Sequence, residues 1–266
     1  MKRNLDVGDF FSQIAARYDA ESRLSRECAT AICQSVVAQL QETKSSLLLD
    51  IGGGPGYFEA LICRLYGDAR ILNLDISLNM LNTARENLAA LGLSDHLELV
   101  CADAHQLPLG SVAIPFAFIS YTIHLLNAPR FLSEIRRVLI REGRLLVVTF
   151  AREDMLTQIY HAYFPGFFDI DSKRFVSQSE LVQQLRGSGL DIVKIDKFPY
   201  AIPYASVDEV VKLVRTRPFS TFSTKFYSDS ELEEAISIFQ HRLIERYGDG
   251  PLANECQLTL VTSAKA

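Results

Sequence analysis

The sequence predicts an α/β protein with a doubly wound, mostly parallel seven-stranded sheet and a helical insertion before the last strand. Two observations predict this fold class. In the first half of the chain, short apolar runs alternate with amphipathic stretches of helical periodicity. These runs are apolar at successive positions, as is typical of parallel strands that helices cover on both faces. The predicted strands are 47–51, 71–75, 97–101, 114–120 and 145–150, and the predicted helices are 57–66, 78–91 and 128–138.

The second half of the chain is less regular. Strands at 191–198 and 255–262 are predicted to complete the sheet, with the helical insertion 199–254 between them. Three serines are each followed three residues later by a glutamate, which is the capping-box pattern of a helix start. These pairs are Ser177 with Glu180, Ser206 with Glu209 and Ser228 with Glu231.

Composition narrows the classes of function. The chain of 266 residues has a formal net charge of −5, with its basic residues dispersed among acidic ones, so a nucleic-acid partner is not expected. No apolar run is long enough to span a membrane, and no signal sequence is predicted. The five cysteines form neither a CxxC pair nor a ligand cluster, which favours a reducing, cytoplasmic location and no bound metal.

A glycine-rich turn follows the first predicted strand. It contains Gly52, Gly53, Gly54 and Gly56. Glycine permits a sharp turn and lets the backbone approach a ligand where a Cβ would collide. The spacing matches GxGxG, but Tyr57 occupies the last position of GxGxxG, so the dinucleotide fingerprint fails. Taken alone, the cluster is equally consistent with a tight strand-to-helix turn that binds nothing.

Two acidic residues follow at the ends of the next strands. Asp75 ends the second strand, where a carboxylate can accept hydrogen bonds from both ribose hydroxyls of an adenosine-type ligand. Asp103 follows the third strand, where a carboxylate can accept from an adenine amino group while the next backbone N–H meets a ring nitrogen. A lone aspartate there more often forms a turn. In register with the glycine turn and Asp75, it favours S-adenosylmethionine over a dinucleotide.

These motifs resemble the class I methyltransferases of the ubiquinone and menaquinone biosynthesis type. The resemblance covers residues 10–150 and rests on the run 50–56, on 74–77 with Met80, and on Ala102-Asp103-Ala104. It implies a Rossmann-like methyltransferase fold, S-adenosylmethionine as the methyl donor and S-adenosylhomocysteine as the product. The donor-binding residues it implies are Tyr18, Gly52, Gly53, Gly54, Gly56, Asp75, Ile76, Met80, Asp103, Ala104 and Ser120.

The resemblance also implies a domain organisation. Residues 1–40 would form a helical segment that closes over the donor, with Tyr18 near its carboxylate. Residues 41–198 and 255–266 would form the core, with a lid near 151–175. The insertion 199–254 would cap the acceptor, although the aromatic residues of the lid are equally consistent with a core beneath that insertion.

His124 is the candidate general base, because it follows the fourth strand at the donor-facing end of the sheet. A packing or capping role for His124 is the alternative, and His161 and His241 have weaker claims. The predicted function is methyl transfer to an oxygen, nitrogen or carbon atom of a small-molecule acceptor. The alternatives are an NAD(P)-type oxidoreductase and a non-catalytic protein that binds S-adenosylmethionine.

Overall fold

A computed structural model of the chain describes Phe11, Ser12, Ala15 and residues 26–266. Within these ranges, seven strands form one sheet in the order β3-β2-β1-β4-β5-β7-β6. Strands β1 to β5 are parallel, and β7 lies antiparallel between β5 and β6. The predicted fold class is therefore confirmed. The strands are β1 Leu47–Ile51, β2 Arg70–Asp75, β3 Leu97–Cys101, β4 Ile114–Ser120, β5 Leu139–Thr149, β6 Leu190–Tyr204 and β7 Leu252–Lys265.

Helices cover both faces of the sheet. Successive side chains of a strand point to opposite faces, so Leu48 and Leu49 in β1 belong to different core clusters. One cluster contains residues of helices α1 and α2, and the other contains residues of α4 and α7. The helices are α1 Arg26–Glu42, α2 Tyr57–Leu65, α3 Leu78–Ala90, α4 Ala128–Val138, α5 Ile159–Tyr163, α6 Phe167–Asp171, α7 Gln178–Gly187, α8 Val207–Arg215 and α9 Asp229–Tyr247.

Helix α1 belongs to the core of the sheet. Its apolar side is fully buried at Ile32, Val36 and Leu40, in the same cluster as Leu48. This helix, which falls within the predicted closing segment 1–40, thus packs against one face of the sheet. Tyr18 lies outside the described residues. No helix in the described ranges has both the length and the apolar character needed to cross a membrane.

Strands β6 and β7 form a longer hairpin than the sequence predicts. Their pairing runs from Leu190 opposite Lys265 to Tyr204 opposite Leu252, so both ends of the predicted insertion are strand rather than helix. Pro199 within β6 argued against such an extension, because proline cannot donate to a strand ladder. It is accommodated because β6 is an edge strand with only β7 beside it. Strand β5 also begins earlier than predicted, at Leu139.

The segment 159–167 and the insertion 199–254 share a small aromatic core. Tyr160, Phe164 and Phe167 lie against Phe222 and Phe239, with ring centroids 4.7 to 6.1 Å apart. The predicted capping boxes are complete at Ser177 and Ser228. At α8, Ser206 caps the helix, but the Glu209 carboxylate accepts from the N–H of Ala205 instead of that of Ser206.

The core of the insertion can be tested at two adjacent positions of α9. Phe239 is fully buried, whereas Ile238 is 40% exposed. We expect Phe239→Ala to lower the free energy of unfolding by about 3 to 5 kcal/mol, because it leaves a cavity among aromatic rings. Ile238→Ala should change it by no more than about 0.5 kcal/mol. Urea denaturation followed by circular dichroism measures both, and equal effects would contradict the described packing.

Candidate active site

The glycine turn connects β1 to α2 at the carboxyl edge of the sheet. Gly52, Gly54 and Gly56 have φ angles of 69°, 61° and 86°, in the left-handed region that side chains disfavour. A Cβ on Gly52 would lie 2.6 Å from Thr122, and one on Gly56 would lie 2.5 Å from Leu88. These two glycines are therefore required by the packing of the protein itself.

Gly53 and Gly54 differ in what lies beside them. A Cβ on Gly53 would lie 2.5 Å from a carboxylate oxygen of Glu59 and 2.7 Å from the Asn73 amide. A Cβ on Gly54 would meet no described atom within 4 Å. Gly54 is thus the glycine of this turn whose missing side chain leaves open space, and it lines the cavity described below.

Asp75 joins the glycine turn to the end of β2. Its carboxylate accepts hydrogen bonds from the backbone N–H of Gly54 at 3.1 Å and from that of Ser77 at 2.8 Å. Burial raises the pKa of Asp75, although the backbone hydrogen bonds oppose this shift. The carboxylate therefore fixes the positions of two strand-to-helix connections and still lies at the cavity wall.

A second carboxylate lies beneath the turn. Asp50 in β1 is fully buried, and neither of its carboxylate oxygens has a hydrogen-bond partner among the described residues. Burial, and then the nearby charge of Asp75, raise the pKa of Asp50 to about 8. Asp50 is therefore largely protonated at neutral pH in this structure. A cation bound above the turn would lower that pKa.

Asp103 and His105 form a pair beyond β3. The backbone N–H of Asn127 donates to Nε2 of His105 at 2.8 Å, so the hydrogen of the neutral ring is on Nδ1. Nδ1 donates to the Asp103 carboxylate at 2.6 Å, and the backbone N–H of His105 donates to the same oxygen at 2.9 Å. His105 is not among the site residues predicted from the sequence. A histidine two residues after a candidate binding carboxylate was the available signal.

Apolar side chains line the space between these carboxylates. Met80 is buried and packs with Ala15 and Phe11, whereas Ile76 remains 44% exposed at the cavity wall. Ala104 lies beside Asp103 and lines the same cavity. These positions can pack against the two faces of a flat ring.

His124 lies in a short 3₁₀ turn after β4, near Ser120. Its ring stacks on Phe175, with centroids 3.9 Å apart and an interplanar angle of 16°. Burial, and then the positive charge of Arg174, lower the pKa of His124 to about 3, although Asp171 opposes this shift. His124 is therefore neutral at physiological pH and is a weak base.

A second polar cluster lies where the insertion meets the sheet. His161 in α5 and Asp171 in α6 are 3.1 Å apart, between Nε2 and a carboxylate oxygen. The other oxygen of Asp171 accepts from Thr221 at 2.7 Å and from Arg174 at 3.1 Å. Arg215 and Arg217 instead pair with Glu233 and Asp229, and neither arginine is among the residues that line the cavity.

One cavity connects the two groups of residues. Its volume is about 280 Å³, near the lower end of the range of ligand pockets. At one end it is lined by the glycine turn, Asp75 and Asp103, and at the other by His161 and Asp171. Ser120 and His124 also line it. The charged residues among the described lining are aspartates, with no lysine or arginine.

The family model described as "Methyltransferase domain" matches residues 49–147, which contain the glycine turn, both strand-end aspartates and His124. Residues 49–147 therefore carry a methyltransferase domain. The seven-stranded sheet, with its antiparallel strand before the edge, extends beyond the matched residues.

Curated relatives are about 30% identical to this chain over the aligned residues. A malonyl-[acyl-carrier protein] O-methyltransferase from Laribacter hongkongensis is 32% identical over 63% of this chain and 56% of its own length. A bifunctional biotin biosynthesis protein from Cellvibrio japonicus is 30% identical over 69% of this chain but only 35% of its own length. A ubiquinone/menaquinone biosynthesis C-methyltransferase from Pseudomonas entomophila is 27% identical over 68% of this chain and 73% of its own length. The chain thus spans less than two thirds of the first two relatives.

Solved structures share the fold at low sequence identity. The [4+2]-cyclase SpnF has a TM-score of 0.66 and 16% identity, and the match covers 97% of this chain and 95% of SpnF. Geranyl diphosphate C-methyltransferase from Streptomyces coelicolor, solved with S-adenosyl-L-homocysteine, has a TM-score of 0.56 and 14% identity. The match covers 90% of this chain and 80% of that enzyme. The fold of the methyltransferase domain therefore extends to proteins with different activities.

The protonation of Asp50 in the methyltransferase domain can be tested through stability. Because its folded pKa of about 8 exceeds that of an exposed aspartate, the folded state binds more protons between about pH 4 and 8. The free energy of unfolding therefore falls as pH rises through this window. Asp50→Asn should abolish this pH dependence, whose slope in the wild type is at most about 1.4 kcal/mol per pH unit.

Urea denaturation at intervals from pH 5.5 to 8 measures the effect. Asp68→Asn is the matched control, because Asp68 is exposed. We expect the control to retain the pH dependence of the wild type. Equal slopes for Asp50→Asn and the wild type would contradict a protonated, buried carboxyl group.

Proposed function

We propose that this protein transfers a methyl group from S-adenosylmethionine to a small-molecule acceptor. The observation that carries the proposal is the single cavity, which joins an acidic end at the glycine turn to a polar end at the insertion. The first end suits a cationic adenosine-type ligand, and the second suits an acceptor. The methyltransferase domain and the named relatives support the same class of reaction.

The charge of the cavity supports S-adenosylmethionine over a dinucleotide. S-adenosylmethionine carries a positive sulfonium, whereas NAD carries an anionic pyrophosphate. Asp75 and Asp103 line the donor end, and Asp50 is buried close to Asp75. A pyrophosphate would lie among carboxylates with no described lysine or arginine in the lining to offset its charge. The oxidoreductase alternative therefore has no support at this site.

The residues at the donor end fit the proposed ligand chemically. The Asp75 carboxylate accepts backbone hydrogen bonds from Gly54 and Ser77 and keeps acceptor capacity for a ribose hydroxyl. Asp103 and the backbone of Ala104 would bind the adenine edge. The adenine ring would lie between Ile76 and Met80. Ser120 and the turn from Gly52 to Gly56 would face the methionine part. Tyr18 remains part of the proposal.

The chain's main tasks in catalysis would be alignment and exclusion of water. When bound, S-adenosylmethionine supplies a methyl group made electrophilic by its sulfonium. The glycine turn and Asp75 would fix the donor end, and the aromatic residues of the insertion would exclude water from the acceptor end. The lid near 151–175 and the acceptor cap at 199–254 remain part of this proposal.

The third candidate is a non-catalytic protein that binds S-adenosylmethionine. Such a protein would need no buried polar groups beyond the bound donor. The buried cluster of His161, Asp171 and Thr221 lies at the far end of the cavity and favours catalysis. We place the reaction in the cytoplasm, a location that the five free thiols support.

Isothermal titration calorimetry with S-adenosylmethionine and NAD⁺ tests the proposal. We expect binding of S-adenosylmethionine and none of NAD⁺. Gly54→Ala should weaken S-adenosylmethionine binding at least about tenfold, because its Cβ would occupy the donor end and its φ of 61° would add strain. Gly67→Ala is the control, since a Cβ there meets open space without a left-handed φ.

Two results would contradict the proposal. One is tighter binding of NAD⁺ than of S-adenosylmethionine by the folded wild type. The other is an unchanged affinity in Gly54→Ala, which would place the ligand away from the glycine turn.

A further inference from the structure

The polar end of the cavity contains a histidine whose protonation pattern can be derived from its contacts. Asp171 accepts from Thr221 and Arg174 through one carboxylate oxygen and faces Nε2 of His161 with the other. A carboxylate among such donors acts as an acceptor, so Nε2 carries the hydrogen. Nδ1 of the neutral ring is then left with a lone pair.

This lone pair has no partner among the described residues. Nδ1 of His161 is buried and makes no hydrogen bond, and the histidine side chain is only 4% exposed. His161 nevertheless lines the cavity. A buried, unpaired polar atom is costly unless a ligand satisfies it.

A second unpaired group lies one helical turn away. Gln158 is the N-cap residue of α5, three residues before His161, and its Nε2 is buried without a hydrogen-bond partner among the described residues. Gln158 immediately precedes the helix that carries His161. Gln158 also lines the cavity. The pair therefore presents one acceptor, Nδ1 of His161, and one donor, Nε2 of Gln158.

The surrounding charges favour His161 over His124 as a base. His161 faces the Asp171 carboxylate, which would stabilise an imidazolium by a direct hydrogen bond. Arg174 lies on the far side of that carboxylate, where it also contacts Ser220 and Thr221. Burial, and then the charge of Arg174, lower the pKa of His124, whose Nδ1 has no described carboxylate partner.

We propose that His161 is the general base of the reaction, that Asp171 is its positioning residue, and that the acceptor is a hydroxyl compound. The hydroxyl would donate to Nδ1 of His161, and a second oxygen of the same acceptor would accept from Gln158. An ionised carboxylate has no proton to donate to Nδ1, so it fits this pair poorly. This inference rests on the proposed methyl transfer.

The proposed step is balanced in atoms and charge. The acceptor O–H bond breaks and its proton moves to Nδ1 of His161, while the oxygen forms a bond to the methyl carbon. The carbon–sulfur bond breaks, and its electron pair stays on sulfur, which becomes a neutral thioether. The positive charge lost by sulfur thus appears on the His161 ring beside Asp171, until the ring releases its proton to water.

Kinetics with a panel of neutral phenols and alcohols and their matched carboxylic acids test the inference. Release of S-adenosylhomocysteine measures turnover. We expect turnover with one or more hydroxyl compounds and a kcat at least about 100-fold lower in His161→Gln, which keeps a donor to Asp171 but lacks the basic nitrogen. His241→Gln is the control, because the His241 side chain is 74% exposed on α9.

A rescue experiment separates chemistry from folding. The space vacated in His161→Ala should admit imidazole, and millimolar imidazole should restore part of the turnover. A purely structural role for His161 predicts no rescue. The affinity of each variant for S-adenosylmethionine, measured by calorimetry, should match that of the wild type within about threefold.

A spectroscopic readout tests the role of Asp171 without turnover. Long-range ¹H–¹⁵N spectra of the wild type should show the Nε2–H tautomer of His161, and Asp171→Asn should shift the ring towards a mixture of tautomers. Thr221→Val gives a milder perturbation, because it removes one donor to Asp171 and leaves Arg174 in place.

The outcomes distinguish this inference from the proposed function. Binding of S-adenosylmethionine with turnover of carboxylic acids alone, or of no hydroxyl compound, overturns the inference and leaves the donor site standing. A His161→Gln kcat within about threefold of the wild type also overturns it. Failure of the wild type to bind S-adenosylmethionine overturns the proposed function and the inference together.

Discussion

The hydrogen bond from the Gly54 N–H to the Asp75 carboxylate is the interaction on which the site depends. It joins the turn after β1 to the end of β2, and a second bond from Ser77 fixes the start of α3. The topology makes this contact possible, because β1 and β2 are parallel neighbours and both connections emerge at the same edge. Without Asp75, the backbone of the glycine turn would lose a hydrogen-bond acceptor, and the cavity beside Gly54 would lose a negative charge.

The same arrangement sets the electrostatics of the cavity. Asp50 is buried beneath the turn without a hydrogen-bond partner among the described residues, and burial, followed by the nearby charge of Asp75, raises its pKa to about 8. Burying a charge without compensation is costly, so such a carboxyl group is an unusual feature of a core strand. A cationic ligand above the turn would offset that cost. This explains why a donor site can retain two carboxylates so close together.

The sequence predicted the half of the molecule in which local pattern and tertiary structure agree. The strands 97–101 and 114–120 and the helix 128–138 match the structure at both ends. The glycine turn, Asp75 and Asp103 could be found because their positions follow from strand ends in a parallel sheet. The long β6–β7 hairpin could not, because its pairing depends on contacts between residues as distant as Leu190 and Lys265.

The acceptor end was less predictable for a related reason. His161 and Asp171 lie ten residues apart on two short helices, and Thr221 comes from a third segment. No spacing rule connects such residues. Position alone favoured His124, but burial, and then the charge of Arg174, lower its pKa to about 3. The aromatic stretch proved to be a core as well as a cavity wall.

Proton release on binding tests most directly whether buried carboxylates select a cationic donor. Calorimetry at pH 7.5 in buffers of different ionisation enthalpy gives the number of protons exchanged when S-adenosylmethionine binds. We expect the wild type to release more protons than Asp50→Asn, because the bound cation lowers the pKa of Asp50. Equal proton exchange in the two proteins would contradict it.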